Sequence, residues 1–188
     1  MSVVGTNERA SSVIESRTER LGRFERLFTA QYAAVAAYAK RRAAPVDADD
    51  AVAETFLVAW RRLDDVPDDA RPWLFGVARR VLANQRRAAR RRAALYDRAA
   101  TSLIATGDAV DTQVLHALAR LSEPDREILL LAAWDGLTLA ETTTVLGCSH
   151  TAAKVRLHRA RYRLRAQLAR LEGDRPTTTT RLEECHEE

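Results

Sequence analysis

Thr138-Leu-Ala-Glu141, then Leu146-Gly-Cys-Ser149, then a stretch with cations and no acids decide the fold of this 188-residue chain. Thr138 and Glu141 have capping-box spacing, in which the hydroxyl accepts the N–H three residues on and the carboxylate reaches back to the first N–H. A helix is predicted to start there. Gly147 can take the left-handed conformation that ends this helix without a Cβ clash, and Ser149 can cap the next one. In that second helix Ala153, Leu157, Ala160, Leu164 and Leu168 recur at three- and four-residue spacing, which makes one apolar seam to face a core. Lys154, Arg156, Arg159, Arg161, Arg163, Arg165 and Arg170 flank the seam, seven cations without an Asp or Glu from Ser149 to Arg170. A charge run alone is usually a solvated face. Behind a capped, few-residue turn it reads instead as a helix-turn-helix whose second helix suits the DNA major groove.

Upstream, Ser122 and Asp125 open a predicted helix over Pro124–Trp134, Gly136 stops it, and Thr112–Leu121 supplies another, completing a four-helix unit over residues 112–171. A separate unit is predicted over residues 20–92. Leu21, Phe24, Phe28, Tyr32, Val35 and Ala39 follow helical spacing up to Pro45. The next helix starts near Asp47 and buries Val52, Phe56, Ala59 and Leu63, while Asp47, Asp50 and Glu54 form an acidic stripe, favourable at a helix start. After a polar turn around Pro67, Pro72 opens a third helix that buries Leu74, Val77, Ala78 and Val81 and runs into an arginine cluster. Residues 93–111 are weakly periodic and read as a linker. The polar residues 1–19 and the acidic tail 172–188 are expected to be disordered.

The net charge of +4 conceals segregation along the chain. Residues 79–92 hold seven arginines and no acid, whereas residues 47–69 hold eight acids against two arginines. One chain thus offers two basic surfaces and one acidic one. Cys148 and Cys185 are too few for a disulfide framework and are not spaced like a zinc site, so no metal and no cofactor is expected, and a reducing cytoplasm fits best. No apolar run approaches the roughly 20 residues needed to cross a bilayer, which excludes a membrane-embedded chain. There is no phosphate-binding Gly-x-x-x-x-Gly-Lys, no His-Glu-x-x-His and no paired-carboxylate motif. No catalytic residue is therefore assigned.

With its elements in this order, the chain resembles bacterial RNA polymerase sigma factors of the extracytoplasmic-function (ECF) group of the sigma-70 family. Asp47-Ala-Asp-Asp-Ala-Val-Ala-Glu-Thr-Phe-Leu-Val-Ala-Trp60 is similar to the region 2.2 signature, and Arg71-Pro-Trp-Leu-Phe-Gly-Val-Ala-Arg-Arg80 to the start of region 2.3. Leu121-Ser-Glu-Pro-Asp-Arg-Glu127, Gly136-Leu-Thr138, Leu146-Gly-Cys-Ser149 and Arg156-Leu-His-Arg-Ala-Arg161 resemble region 4. Departures are local. Ala53 and Val58 replace the usual Gln and Arg, and Ala140-Glu-Thr-Thr-Thr144 replaces a more apolar stretch, leaving the first helix of the pair more polar. His150-Thr-Ala-Ala153 and Val155 differ from the family pattern where promoter bases are read.

The resemblance implies an all-α fold of two small helical domains, sigma region 2 and sigma region 4, joined by a flexible linker. It implies that Asp47, Asp49, Asp50 and Glu54 dock on the clamp helices of core RNA polymerase. Arg79, Arg80, Asn84, Arg86 and Arg87 would meet the −10 element, with Asn84 either holding a base flipped from the non-template strand or making a local backbone hydrogen bond. Ser149, His150, Thr151, Lys154, Val155, His158 and Arg159 would meet the −35 element. Arg161, Arg163 and Arg165 go to DNA backbone or to the polymerase flap. Partners are then core RNA polymerase and promoter DNA, and the family implies regulation either by another protein, such as an anti-sigma factor, or by expression level. A stand-alone helix-turn-helix regulator is the competing class. It uses residues 112–170 and leaves the acidic stripe and first arginine cluster without a purpose.

Overall fold

The computed structural model describes residues 5–95 and 112–173. They form seven α-helices, with no strand among them: α1 Gly5–Lys40, α2 Pro45–Arg61, α3 Ala70–Leu95, α4 Thr112–Ala119, α5 Glu123–Ala133, α6 Leu139–Leu146 and α7 His150–Gly173. A single 3-10 turn, Leu63–Asp65, links α2 towards α3. The predicted linker beyond Leu95 and the acidic tail beyond Gly173 lie outside the described residues.

Helices α1, α2 and α3 pack on one another around Val35, Tyr38, Ala39, Val52, Phe56, Ala59, Leu63, Leu74, Phe75, Ala78 and Val81, all buried. The positions read from periodicity for the second and third helices are all buried, Val77 included. Pro45 is the first residue of α2, where its missing N–H costs nothing. Helix α1 begins at Gly5, well before the apolar periodicity starts at Leu21. Between Gly5 and Leu21 there is no proline and no second glycine, so nothing halts a helix that the packed half nucleates.

The second unit is built from α4 to α7 around Leu118, Leu121, Ile128, Leu129, Ala153 and Ala160. Its punctuation follows the sequence closely. Both halves of the Thr138–Glu141 capping box form, with the Thr138 N–H donating to Glu141 at 2.7 Å and the Glu141 N–H to the Thr138 hydroxyl at 3.2 Å. Gly136 and Gly147 have φ of 65° and 63°, the left-handed region where a Cβ is strained. Ser149 accepts the Ala152 N–H at 3.2 Å, and Ser122 accepts that of Asp125 at 3.4 Å.

The two units also share a core, which periodicity does not predict. Leu131, Leu137 and Val145 are buried in the cluster built by α1 to α3, and α6 lies along α3. Gly76 of α3 faces α6. A Cβ placed there would stand 3.8 Å from the Val145 Cα and 3.8 Å from the Thr144 carbonyl oxygen.

Candidate nucleic-acid interface

Asp47, Asp49, Asp50 and Glu54 are exposed on turns of α2 whose opposite side buries Ala48, Ala51, Val52, Thr55 and Phe56. Among the described residues none of the four has an ion-pair partner, whereas the neighbouring Asp64 and Asp65 are held by Arg20, Arg23 and Arg62. The stripe is therefore uncompensated charge. Tyr32, Val46 and Leu57 are exposed apolar side chains on α1 and α2: Tyr32 lies on the helical spacing read from the sequence, as do the exposed Leu21 and Phe28, whereas Val46 and Leu57 stand off any periodic face and carry no signal. Phe56 is buried, its ring 4.7 Å from that of Phe28, and Trp60 packs edge-on against Phe24 at 5.2 Å. Both aromatics are structural.

On α3 the first half is buried and the second half is solvated. Arg79, Arg80, Asn84 and Arg87 are exposed, as are Arg90, Arg91 and Arg92. The Asn84 side-chain oxygen accepts a hydrogen bond from the Arg87 guanidinium, and the residue is exposed. Arg86 is the exception to the exposed series. It is half-buried, ion-paired with Glu123 of α5, and it donates to the Arg42 carbonyl oxygen at 2.7 Å.

On α7 the seam buries Ala153 and Ala160 and half-buries Leu157 and Leu164. Ser149, His150, Thr151, Lys154, Val155, His158 and Arg159 are all exposed at its N-terminal half. Tyr162 extends this face and is 71% exposed, above a surface depression it shares with His158, Arg159 and Arg163. Its position off the apolar seam and among cations carried no signal of its own. Arg163 is committed elsewhere: it pairs with Asp125 at the start of α5. Burial pushes the Asp125 carboxyl up, but hydrogen bonds from Ser122 and Arg163 and the charges of Arg163 and Arg156 outweigh it and leave the pKa below the usual range. Arg126 is likewise internal, donating to the carbonyls of Leu118, Ala119 and Leu121 that end α4, and burial lowers its pKa.

A further cluster joins the two units. Asp135, in the turn between α5 and α6, has its side chain fully buried and binds the guanidinium of Arg42 at 2.7 Å and that of Arg41. Its backbone carbonyl accepts from Arg71 at 2.7 Å. Arg42 also pairs with Glu127 at 2.8 Å and lies 3.6 Å over the Tyr38 ring, while the Tyr38 hydroxyl donates to Glu127 at 2.8 Å. Burial alone would lower the Arg42 pKa, yet the oxygens of Tyr38, Glu127 and Asp135 around it raise it. Burial, with Glu127 alongside, raises that of Tyr38.

Among the described residues no group of three or more His, Cys, Asp or Glu could hold a metal, and no helix is long and apolar enough to cross a membrane. Residues 27–92 match the model of sigma-70 region 2, and residues 111–164 that of sigma-70 region 4. The chain is 36% identical over 134 residues to the ECF RNA polymerase sigma factor SigL of Mycobacterium tuberculosis, covering 66% of this chain and 76% of SigL. It is 32% identical over 136 residues to the RNA polymerase sigma factor NccH of Alcaligenes xylosoxydans, covering 65% and 73%. Among solved structures, the sigma factor RpoE of Bartonella quintana, in complex with the anti-sigma factor NepR, matches with a TM-score of 0.67 at 26% identity. That match covers 81% of this chain and 98% of RpoE. CnrH in complex with the cytosolic domain of CnrY matches with a TM-score of 0.57 at 30% identity, over 81% and 89%. With two region models matched in order and relatives aligned across most of their length, the chain belongs to the ECF sigma factors of the sigma-70 family.

Proposed function

We propose that this chain docks on core RNA polymerase through α2 and directs it to promoters, reading the −35 element with α7 and the −10 element with α3. The observation that carries this reading is that two helices turn their cations outward while the same chain keeps a separate, unpaired acidic face. Asp47, Asp49, Asp50 and Glu54 would meet cations on the clamp helices, and complementarity of this kind sets orientation and on-rate more than raw affinity. Arg79, Arg80 and Arg87 anchor phosphates, which fixes register without reading sequence. The exposed side chain of Asn84 receives an extruded non-template base. Unstacking a base costs a few kcal/mol, so capturing it holds the strands apart without ATP. On α7, Ser149, His150, Thr151, Lys154, Val155, His158 and Arg159 face base edges and flanking phosphates, and Arg161 and Arg165 remain for DNA backbone or the polymerase flap. RpoE is found with the anti-sigma factor NepR, and CnrH with the cytosolic domain of CnrY. By analogy an anti-sigma factor controls this chain.

The test is Asn84→Ala, assayed for core binding by fluorescence anisotropy and for promoter melting by permanganate reactivity. Melting should fall at least several-fold while core affinity stays within twofold. Equal losses in both assays would reduce Asn84 to a structural partner of Arg87.

A further inference from the structure

We propose that Tyr162 is a further specificity residue for the −35 element, its ring meeting a base edge in the major groove beyond those that Val155 and Arg159 face. This deepens the reading of α7 proposed above and rests on it. Tyr162 is 71% exposed, and among the described residues it makes no hydrogen bond and no ring or cation–π contact. A lone exposed aromatic is ordinary on a protein surface. The place of this one on α7 is not. At about 100° per residue, Thr151, Val155, His158 and Tyr162 fall within about 60° of one another, one ridge on the side away from the buried seam of Ala153, Leu157, Ala160 and Leu164. All four are exposed, and none is Lys or Arg. The cations stand beside the ridge, with Lys154, Arg161 and Arg165 along one flank and Arg159 and Arg163 along the other. A helix face that is merely solvated carries its charges opposite the core. Here they are displaced to both sides of a line without them.

That arrangement matches the groove. Its walls are phosphates, which Lys and Arg neutralise without reading sequence, and its floor is base edges, which hydrogen bonds and apolar contacts tell apart. A helix laid lengthwise with this ridge inward sets one cationic flank against each strand. Tyr162 then stands about 10 Å further along the axis than Val155, or about three base pairs of duplex. A straight helix leaves a curving groove at its far end, so the residue there needs reach, and the tyrosine ring outreaches the valine. The ring edge suits a thymine methyl, the apolar group by which the major groove marks T·A. Of the residues around the depression beneath the ring, Arg163 is held by Asp125, whereas His158, Arg159 and Tyr162 have no ion pair among the described residues and are left to meet DNA.

Tyr162→Ala and Tyr162→Phe, each in the full chain with core RNA polymerase, test this on a promoter library in which the −35 element and its flanking pairs are randomised and the transcripts are sequenced. Tyr162 lies off the seam and alanine suits a helix, so both variants should keep the wild type's helicity. The wild type should favour T·A at a pair other than the one that Arg159→Ala relaxes. Tyr162→Ala should lose about fivefold or more of that preference, whereas Tyr162→Phe, which keeps the ring, should hold it within about twofold. Equal preference in the wild type and Tyr162→Ala would overturn the proposal. So would a loss spread evenly over all sequences, the mark of a phosphate contact, or a fall in core affinity by fluorescence anisotropy, the mark of a contact with the polymerase. If the wild type itself draws no −35 preference from the library, the function proposed above falls and takes this inference with it. A wild-type preference that Tyr162→Ala leaves intact removes only Tyr162.

Discussion

Thr142 is buried on α6 with its hydroxyl lacking a hydrogen-bond partner among the described residues. It stands in the Thr142-Thr-Thr144 run that makes this helix more polar than the family pattern. Leaving a buried hydroxyl unpaired costs about 1–3 kcal/mol. Thr142→Val keeps the shape and removes the hydroxyl, so it should raise stability by about 1 kcal/mol, or roughly 2–4 °C in Tm for a domain of this size, measured by calorimetry. Arg159 is exposed where α7 would meet base edges. A bidentate contact to guanine contributes about 1–3 kcal/mol of discrimination. Arg159→Ala should therefore relax preference at one −35 position in a binding assay over randomised sites, whereas a uniform loss on every sequence would make it a phosphate contact. The exposure of these cations was legible from the helical seam. The capture of Arg86 and Arg163 by Glu123 and Asp125 was not, because partners 37 and 38 residues away leave no local pattern.

Among the elements, α6 and the turns around it were the most legible, since capping uses residues within three positions of each other and left-handed φ calls for glycine. The upstream end of α1 was the least, because it extends beyond its apolar stripe on propensity alone. The caps also set an acid limit. The hydrogen bonds from the Thr138 hydroxyl and backbone hold the Glu141 carboxyl below its usual pKa, and Asp125 is lowered too. A carboxylate whose pKa falls on folding contributes stability above its unfolded value, near pH 4, and loses it as pH drops through the folded value. The helix-turn-helix unit should thus melt at lower temperature at about pH 3 than at pH 7. Glu141→Gln, which keeps a capping side chain without the titration, should show a smaller difference between the two, and an equal difference would place the acid sensitivity elsewhere.

For the whole molecule, charge segregation and motif order announced two helical units with distinct tasks, and both units are present. Their contact was hidden because it joins residues about 90 positions apart, Arg42 to Asp135 and Tyr38 to Glu127, through groups that look individually like ordinary surface charge. The acidic face of α2, the arginines of α3 and the cationic α7 gain a common purpose only if the chain acts on polymerase and promoter together. In vitro transcription of fragmented genomic DNA from the source bacterium, with core RNA polymerase alone and with this protein added, tests that most directly. New start sites sharing −10 and −35 elements are expected only when the protein is present. DNA binding by the protein without any new start site would contradict a role in initiation and leave a stand-alone regulator in its place.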